Sequence, residues 1–554
     1  MRRCIQNSLA DIRTFSDTQQ LKSQPVLSVS ETELWNIDDN ETEWILTAGK
    51  IENLRQAVKR LNGVEVQARR IFSFWKHLGY PSARRGYVLG REIREGCIVP
   101  TVAGGICQLS NALYDAALKA NFEIVERHRH TKVIKGSLAE RDRDATVKWN
   151  YIDLRFKSDY PFRIEVELTR DKLIVKFRGE RKHTLITESN SKNTFPASKL
   201  NDCYSCGNSE CIKYTGLPQL KFQKSNAAFI LDEKWSEFND YVNTISREED
   251  LFILPHPKSY IRTSRFSWTI ENPKTVKSFW ILTLQRALWT RFSFNGSRNI
   301  FSLMLKFDKR IARSVAKKIP LTVTHLIVSQ NLLPFLWEQG VFGGRTFDVL
   351  MIRQPLENLH LRLDQAYKNF PESKTLNDFR ASQALVDFEN EALTSARSII
   401  TPHEEIAKIF INKSVKLQWN LPKKATNSDV KGSKILFPAS ALARKGAYEI
   451  RRLAKELNFS IVLVGKALED ENFFNGIETE FAGKNPFDNV KLVIYPAYIM
   501  HNPKPLLEAL ARDIPVITTT ASGLSPSKNL IMVPIGDYQT LKHAVICELT
   551  KGAH

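Results

Sequence analysis

Five short runs in the C-terminal part of this chain are apolar almost without interruption: "KILFPAS" from Lys434, "SIVLVG" from Ser460, "VKLVIYP" from Val490, "PVITTT" from Pro515 and "LIMVPI" from Leu530. A strand with one face in water alternates apolar and polar residues, whereas a strand apolar throughout is covered on both faces. Between or after these runs lie "KGAYEIRRLAKEL", "KPLLEALARD" and "DYQTLKHAVICEL", each carrying a helical stripe. Strands alternating with helices in this way build a parallel sheet with helices on both sides. This expectation covers residues 426–554. Residues 225–425 are mixed, with "THLIVSQ" and "FDVLMIRQP" as the clearest strands.

The front of the chain follows another pattern. Leu109, Ala112, Leu113, Ala116, Ala117 and Ala120 recur at helical spacing, one stripe on a helix of about fourteen residues. Gly104 and Gly105 mark the turn into it. "FEIVERH" reads as a strand, and "YIDLRF", "RIEVEL" and "KLIVKF" alternate, with Thr169–Lys172 as a turn between the last two. Residues 31–185 are therefore expected to form an α+β module, a helix packed on an antiparallel sheet. Residues 1–30 are polar and expected to be loose, and 186–224 read as a linker. A chain of 554 residues is too long for one core, so a multidomain α+β and α/β protein is expected.

Hydrophobic content of 42% and charged content of 25% are those of an ordinary soluble globular protein. The net charge of +20 suggests an anionic partner, such as nucleic acid, anionic lipid or a sugar nucleotide, or simply a basic protein. No nucleic-acid motif accompanies the charge, so no nucleic-acid partner is expected. Seven cysteines in this length do not make a disulfide framework. The N-terminal "MRRCIQNSLADIRTFSD" lacks the apolar segment of a signal peptide, and no run reaches a membrane-spanning length. The expected location is the cytoplasm with reduced thiols. "SFWILTLQRALWTRFSF", from Ser278 to Phe294, mixes aromatics with Arg286 and Arg291. It reads as a buried helix with two snorkelling arginines, or as a helix lying at the inner face of the membrane.

Cys107 follows the glycine pair at the expected helix start, where unpaired N–H groups and the helix dipole favour a thiolate. A nucleophile also needs a base and a group to orient that base. His128 and His130 in "ERHRHT" are the candidate bases, and Asp142 and Asp144 in "ERDRDATV" the candidate orienters. The other reading of Cys107 is a small core residue. Asp153 and Arg155, on one face of "YIDLRF", read as cleft-lining residues or as a solvated strand face.

These motifs resemble the VanW family. The resemblance rests on "GREIREGCIVPTVAGGICQLSNALYDAALKANFEIVERHRHT" followed by "RDATVKWNYIDLRF", and covers about residues 45–180. Where many members have three glycines before the cysteine, Ala103 replaces the first. The resemblance implies a cell-envelope context and a glycan or peptide substrate class. The resemblance names no reaction; the residues themselves lead to the expectation that Cys107 is the nucleophile, His130 or His128 its base, and Asp144 the orienting carboxylate.

Cys203, Cys206 and Cys211 form a C-x2-C-x4-C group. Close spacing in a reducing compartment points to zinc or an iron–sulfur cluster, with a fourth ligand from elsewhere. An incidental group of linker cysteines is the alternative.

The chain from about 225 onward resembles a GT-B glycosyltransferase of the group 1, family 4 kind, a pair of Rossmann-like domains around a cleft. The resemblance implies a nucleotide-sugar donor and a glycan or peptide acceptor. It implies that Arg444 and Lys445 hold the diphosphate, that Glu508 lies near the donor ribose, and that the backbone around Ala521, Ser522 and Gly523 approaches the ligand. In the first half, Gly343, Gly344 and Arg345 form a glycine loop before a strand, and His403 sits at a strand-to-helix step. Such families often carry a second glutamate eight residues before the one matched by Glu508; here Met500 stands there. That departure leaves open a non-catalytic assembly protein on a degenerate scaffold.

Overall fold

The structure is a computed structural model that describes residues 12–35, 41–94, 97–130, 138–180, 227–257, 265–271, 273–293, 300–422, 432–465, 469–470 and 472–551. By internal contacts the chain divides into two units. The first comprises residues 1–226 with 319–325 and 339–346; the second comprises 227–318, 326–338 and 347–554.

In the first unit a four-stranded antiparallel sheet runs in the order Val26–Glu33, Lys172–Gly179, Phe162–Leu168, Val64–Val66. The first of these strands corrects the expectation of a loose 1–30 segment. Its inward side chains at Ser28 and Ser30 are buried hydroxyls, which hide the strand from an apolar pattern. Ser28 Oγ donates to the Ala116 carbonyl (2.8 Å), tying the sheet to the helix Cys107–Lys119. That helix buries Leu109, Ala112, Leu113, Ala116 and Ala117, the stripe read from the sequence. Phe122, Phe156, Phe162 and Phe177 pack together beneath it, with ring centroids 4.5–6.1 Å apart. Thr169 N donates to Lys172 O (2.9 Å), closing the expected turn.

The second unit holds most of two Rossmann-like sheets. The first has seven strands in the order Thr275–Ser278, Leu251–Leu254, Ala227–Ile230, His325–Ser329, Thr346–Leu350, Ser398–Thr401, Ser414–Lys416, with parallel pairs at both ends. The second is parallel throughout, in the order Thr479–Phe481, Ile461–Leu463, Lys434–Phe437, Val490–Tyr495, Val516–Thr519, Leu530–Val533. The five apolar runs are all of its strands except the edge strand Thr479–Phe481, and their side chains form one core with the helix Ala447–Leu457. In both sheets the strand order reverses beside the first strand. Open α/β sheets bind ligands at the carboxyl ends near such a reversal.

Candidate functional site

The turn before Cys107 is built by close backbone approaches. Ala103 and Gly105 have positive φ (65° and 89°), and a Cβ on Gly104 would lie 2.2 Å from the Gly90 carbonyl oxygen. Fully buried Asn53 holds both sides: its Nδ2 donates to Val88 O and Gly104 O (both 3.0 Å), and its Oδ1 accepts from Val88 N (2.8 Å). Asn53 escaped the sequence reading, since it is a single polar residue inside an amphipathic helix.

Cys107 is half-buried, with Sγ 3.8 Å from Val147 O. The His130 ring stands near enough to feel the Cys107 side chain electrostatically. The other side of that ring, Nδ1, lies 2.6 Å from Asp144 Oδ2. Burial alone disfavours the imidazolium. The hydrogen bond to Asp144, with the electrostatic pull of Cys107, outweighs it and pushes His130 from 6.5 up to about 9. Asp144 is itself fixed: Arg127 donates to Oδ1 (2.9 Å), and His130 N donates to Oδ2 (2.7 Å). Burial raises the Asp144 carboxyl, but these donors hold it below its ordinary value. Sulfur, imidazole and carboxylate thus follow one another at a helix start, with the imidazole–carboxylate hydrogen bond in place, the order a thiol nucleophile requires.

The other front-half candidates sit elsewhere. His128 is turned to Glu126 (Nε2–Oε1 3.5 Å) and does not join the line. Asp142 pairs with Arg127 and Arg129 (2.6 and 2.7 Å). Asp153 and Arg155 neither line a cleft nor face solvent: both are buried. Asp153 accepts from Ser73 Oγ (2.6 Å), Trp75 N (3.1 Å) and Arg155 Nε (3.0 Å), capping the short helix Phe74–Leu78. Cys203, Cys206 and Cys211 lie outside the described residues. Among the described residues no group of three or more potential ligands is arranged to hold a metal.

Gly343, Gly344 and Arg345 require a correction. They precede the strand Thr346–Leu350 and so lie at its amino end, opposite the end where ligands bind. Their environment is structural. Gly343 O accepts from Arg55 Nε (2.7 Å), and buried Arg345 donates to Val323 O, Val341 O and Pro320 O (2.8, 2.6 and 3.1 Å). A guanidinium so fully used by backbone carbonyls is not available to a phosphate.

In the second unit, His403, Gly523, Arg444 and Lys445 come together at strand carboxyl ends. The His403 ring lies against Gly523, where a Cβ would come within 2.3 Å of it, and Gly523 has φ +66°. Neither ring nitrogen of this buried histidine has a side-chain partner, and burial pushes it down to about 4. Lys445 donates to Ile499 O (3.2 Å), and burial followed by the charge of Arg444 lowers it to about 7. Arg444 lies 5.0 Å over the Phe379 ring. His501 stacks on the same Phe379 (5.9 Å), and its Nδ1 is buried without a partner. Burial, then Lys445, Arg353, Arg444 and His403 facing it, hold His501 well below its ordinary value. A cluster in which the Arg444 guanidinium and a partly charged Lys445 stand beside two neutral imidazoles with spare ring nitrogens suits an anionic, hydrogen-bonding ligand. His501 and Arg353 were not legible as site residues, because only the fold gathers them.

Ser522 is fully buried and turned toward Met532 (Oγ–Sδ 3.9 Å), so only its backbone can serve a ligand. Met500 is buried in the apolar core, and Glu508 is exposed on the helix Lys504–Ala511. Neither supplies a carboxylate to this cluster.

Residues 49–178 match the family model described as VanW like protein. The chain is 33% identical over 108 residues to the uncharacterized protein YoaR of Bacillus subtilis (strain 168), covering 20% of this chain and 35% of that protein. It is 30% identical over 134 residues to the vancomycin B-type resistance protein VanW of Enterococcus faecalis (strain ATCC 700802 / V583), covering 23% of this chain and 48% of that protein. The chain thus spans under half the length of the curated relatives it matches. Among solved structures, the Anabaena Alr3699/HepE protein in complex with UDP and glucose is 11% identical, with 58% of this chain and 89% of that one covered and a TM-score of 0.35. A likeness that distant assigns no function.

Proposed function

We infer, from a VanW-type module at residues 49–178 joined to a GT-B-like pair of Rossmann-like sheets, that this chain is a two-module enzyme of cell-envelope glycan metabolism. The single observation that carries the front-half reading is the hydrogen-bonded His130–Asp144 pair with the Cys107 sulfur beside it. In it, His130 takes the thiol proton and Asp144 stabilises the imidazolium. The thiolate attacks an acyl carbon of a peptide or amide-bearing glycan, forming a thioester as the amine leaves with the proton from His130. Water or an acceptor amine then releases the acyl group. The test is intact-mass spectrometry of the full chain incubated with peptidoglycan-precursor peptides. An acyl adduct on Cys107 is expected, absent from Cys107→Ala; no adduct across the panel contradicts the reading.

In the second unit, the proposed ligand of the Arg444–Lys445 cluster is the diphosphate of a nucleotide-sugar, held by Arg444 and Lys445 with His403 and His501 beside it. Sugar transfer to a glycan or peptide acceptor is the activity proposed there, in the cytoplasm at the inner face of the membrane. The zinc or iron–sulfur assignment of Cys203, Cys206 and Cys211 stays a proposal, checked by metal analysis of anaerobically purified chain.

One observation favours a second reading of this unit. Met500 is buried where a donor-binding carboxylate would stand, and Glu508 is exposed. A scaffold that binds a nucleotide-sugar or envelope partner without transferring sugar would show this. Saturation-transfer NMR with a nucleotide-sugar panel, followed by a turnover assay, separates the two: binding without turnover supports the scaffold.

A further inference from the structure

The helix Trp280–Ser293 is built inside out. Its polar residues Thr283 and Arg286 are buried, at 2% and 5% exposure, while Trp280, Ile281, Leu284, Leu288 and Trp289 are 43–59% exposed. Trp280, Ile281, Leu284 and Leu288 share one face at helical spacing. Arg286 does not snorkel, which corrects the buried-helix expectation. It reaches inward to Asp232 (2.6 and 2.8 Å) and to Asp308 (3.0 Å). The buried ion cluster anchors the helix by its polar side, and so fixes the apolar side outward.

Charge says what this face meets. Between Lys274 and Lys318 the chain has a single acidic residue, Asp308, and it is buried in an ion pair with Arg286. Arg291 lies on the exposed apolar face itself, and Lys306, Arg310 and Arg313 are exposed on the next helix, Ile300–Ala316, which packs against the first. Aromatic and aliphatic side chains outward, with basic residues beside them, are the surface that sinks into the headgroup region of an anionic bilayer. Among the described residues no helix is long and apolar enough to cross a membrane.

We propose that the outward face of the helix Trp280–Ser293 docks the chain on the surface of an anionic lipid bilayer. The inference deepens the proposed placement at the inner face of the membrane. It is read without Cys107 chemistry or sugar transfer, so either can fail alone. The test is co-sedimentation of the full chain with phosphatidylglycerol vesicles and with phosphatidylcholine vesicles, beside sedimentation velocity of the free chain. Leu284→Glu/Leu288→Glu is compared with Leu361→Glu, which alters a 63% exposed leucine on another helix. Expected are binding to phosphatidylglycerol vesicles, weaker binding to phosphatidylcholine, at least a tenfold loss in the double variant, and none in Leu361→Glu. Should the double variant lose its circular dichroism, Ile281→Ser replaces it with the same expected direction. No vesicle binding, undiminished binding by the variant, or a dimer of the free chain that the variant dissolves would each overturn the proposal.

Discussion

His130 Nδ1 lies 2.6 Å from Asp144 Oδ2, and the same imidazole feels the Cys107 side chain electrostatically. The pairing has a sign. The folded ring is raised to about 9 from 6.5, so its protonated form is favoured in the fold. Its stabilising contribution is complete below pH 6.5 and is lost as pH rises through about 9. In Asp144→Asn the raising partner is gone. NMR titration should then show the His130 midpoint falling by at least one pH unit, and the loss of stability between these pH values should flatten.

Arg286 joins two buried carboxylates, Asp232 and Asp308, and the three are 1–5% exposed. Burial is the largest influence on Asp308 and raises it to about 7, even against the attraction of Arg286. Removing the guanidinium leaves two uncompensated buried acids. Arg286→Met should cost about 3–5 kcal/mol, read from the urea midpoint.

Two glycines with positive φ provide a matched pair. A Cβ on Gly476 (φ +78°) meets nothing within 4 Å, whereas one on Gly523 (φ +66°) runs into the His403 ring. Gly476→Ala should therefore cost only the backbone term, about 1–2 kcal/mol. Gly523→Ala adds displacement of a buried ring and should lower the melting temperature by a larger step.

Lys445, lowered to about 7, is mostly neutral at pH 8. A bound diphosphate would restore its charge, so binding should take up a proton. Titration calorimetry of UDP in two buffers of different ionisation heat should show that uptake. Affinity should fall as pH rises above 7, by up to about tenfold per pH unit.

Much of this was legible in the residues, for stated reasons. The stripe from Leu109 to Ala117 and the apolar runs from Lys434 repeat at the period of the element they form, and such patterns survive tertiary context. The strand Val26–Glu33 was not legible, because it buries Ser28 and Ser30 rather than apolar side chains. Gly343–Arg345 look like a ligand loop by composition, yet a loop that precedes a strand lies at the wrong end of a parallel sheet. Choosing His130 over His128 takes side-chain direction, which two histidines separated by one residue do not reveal. The inverted helix Trp280–Ser293 depends on Asp232 and Asp308, distant in sequence, to draw its arginine inward.

The claim on which the front-half account stands is that His130 activates the Cys107 sulfur. The direct measurement is the rate of iodoacetamide alkylation at Cys107, mapped by mass spectrometry in the full chain at pH 7 for wild type, His130→Ala and Asp144→Asn. Cys107 alkylated faster than Cys547, and slowed about tenfold by His130→Ala and less by Asp144→Asn, is the predicted result. Equal rates at Cys107 in all three proteins would contradict it.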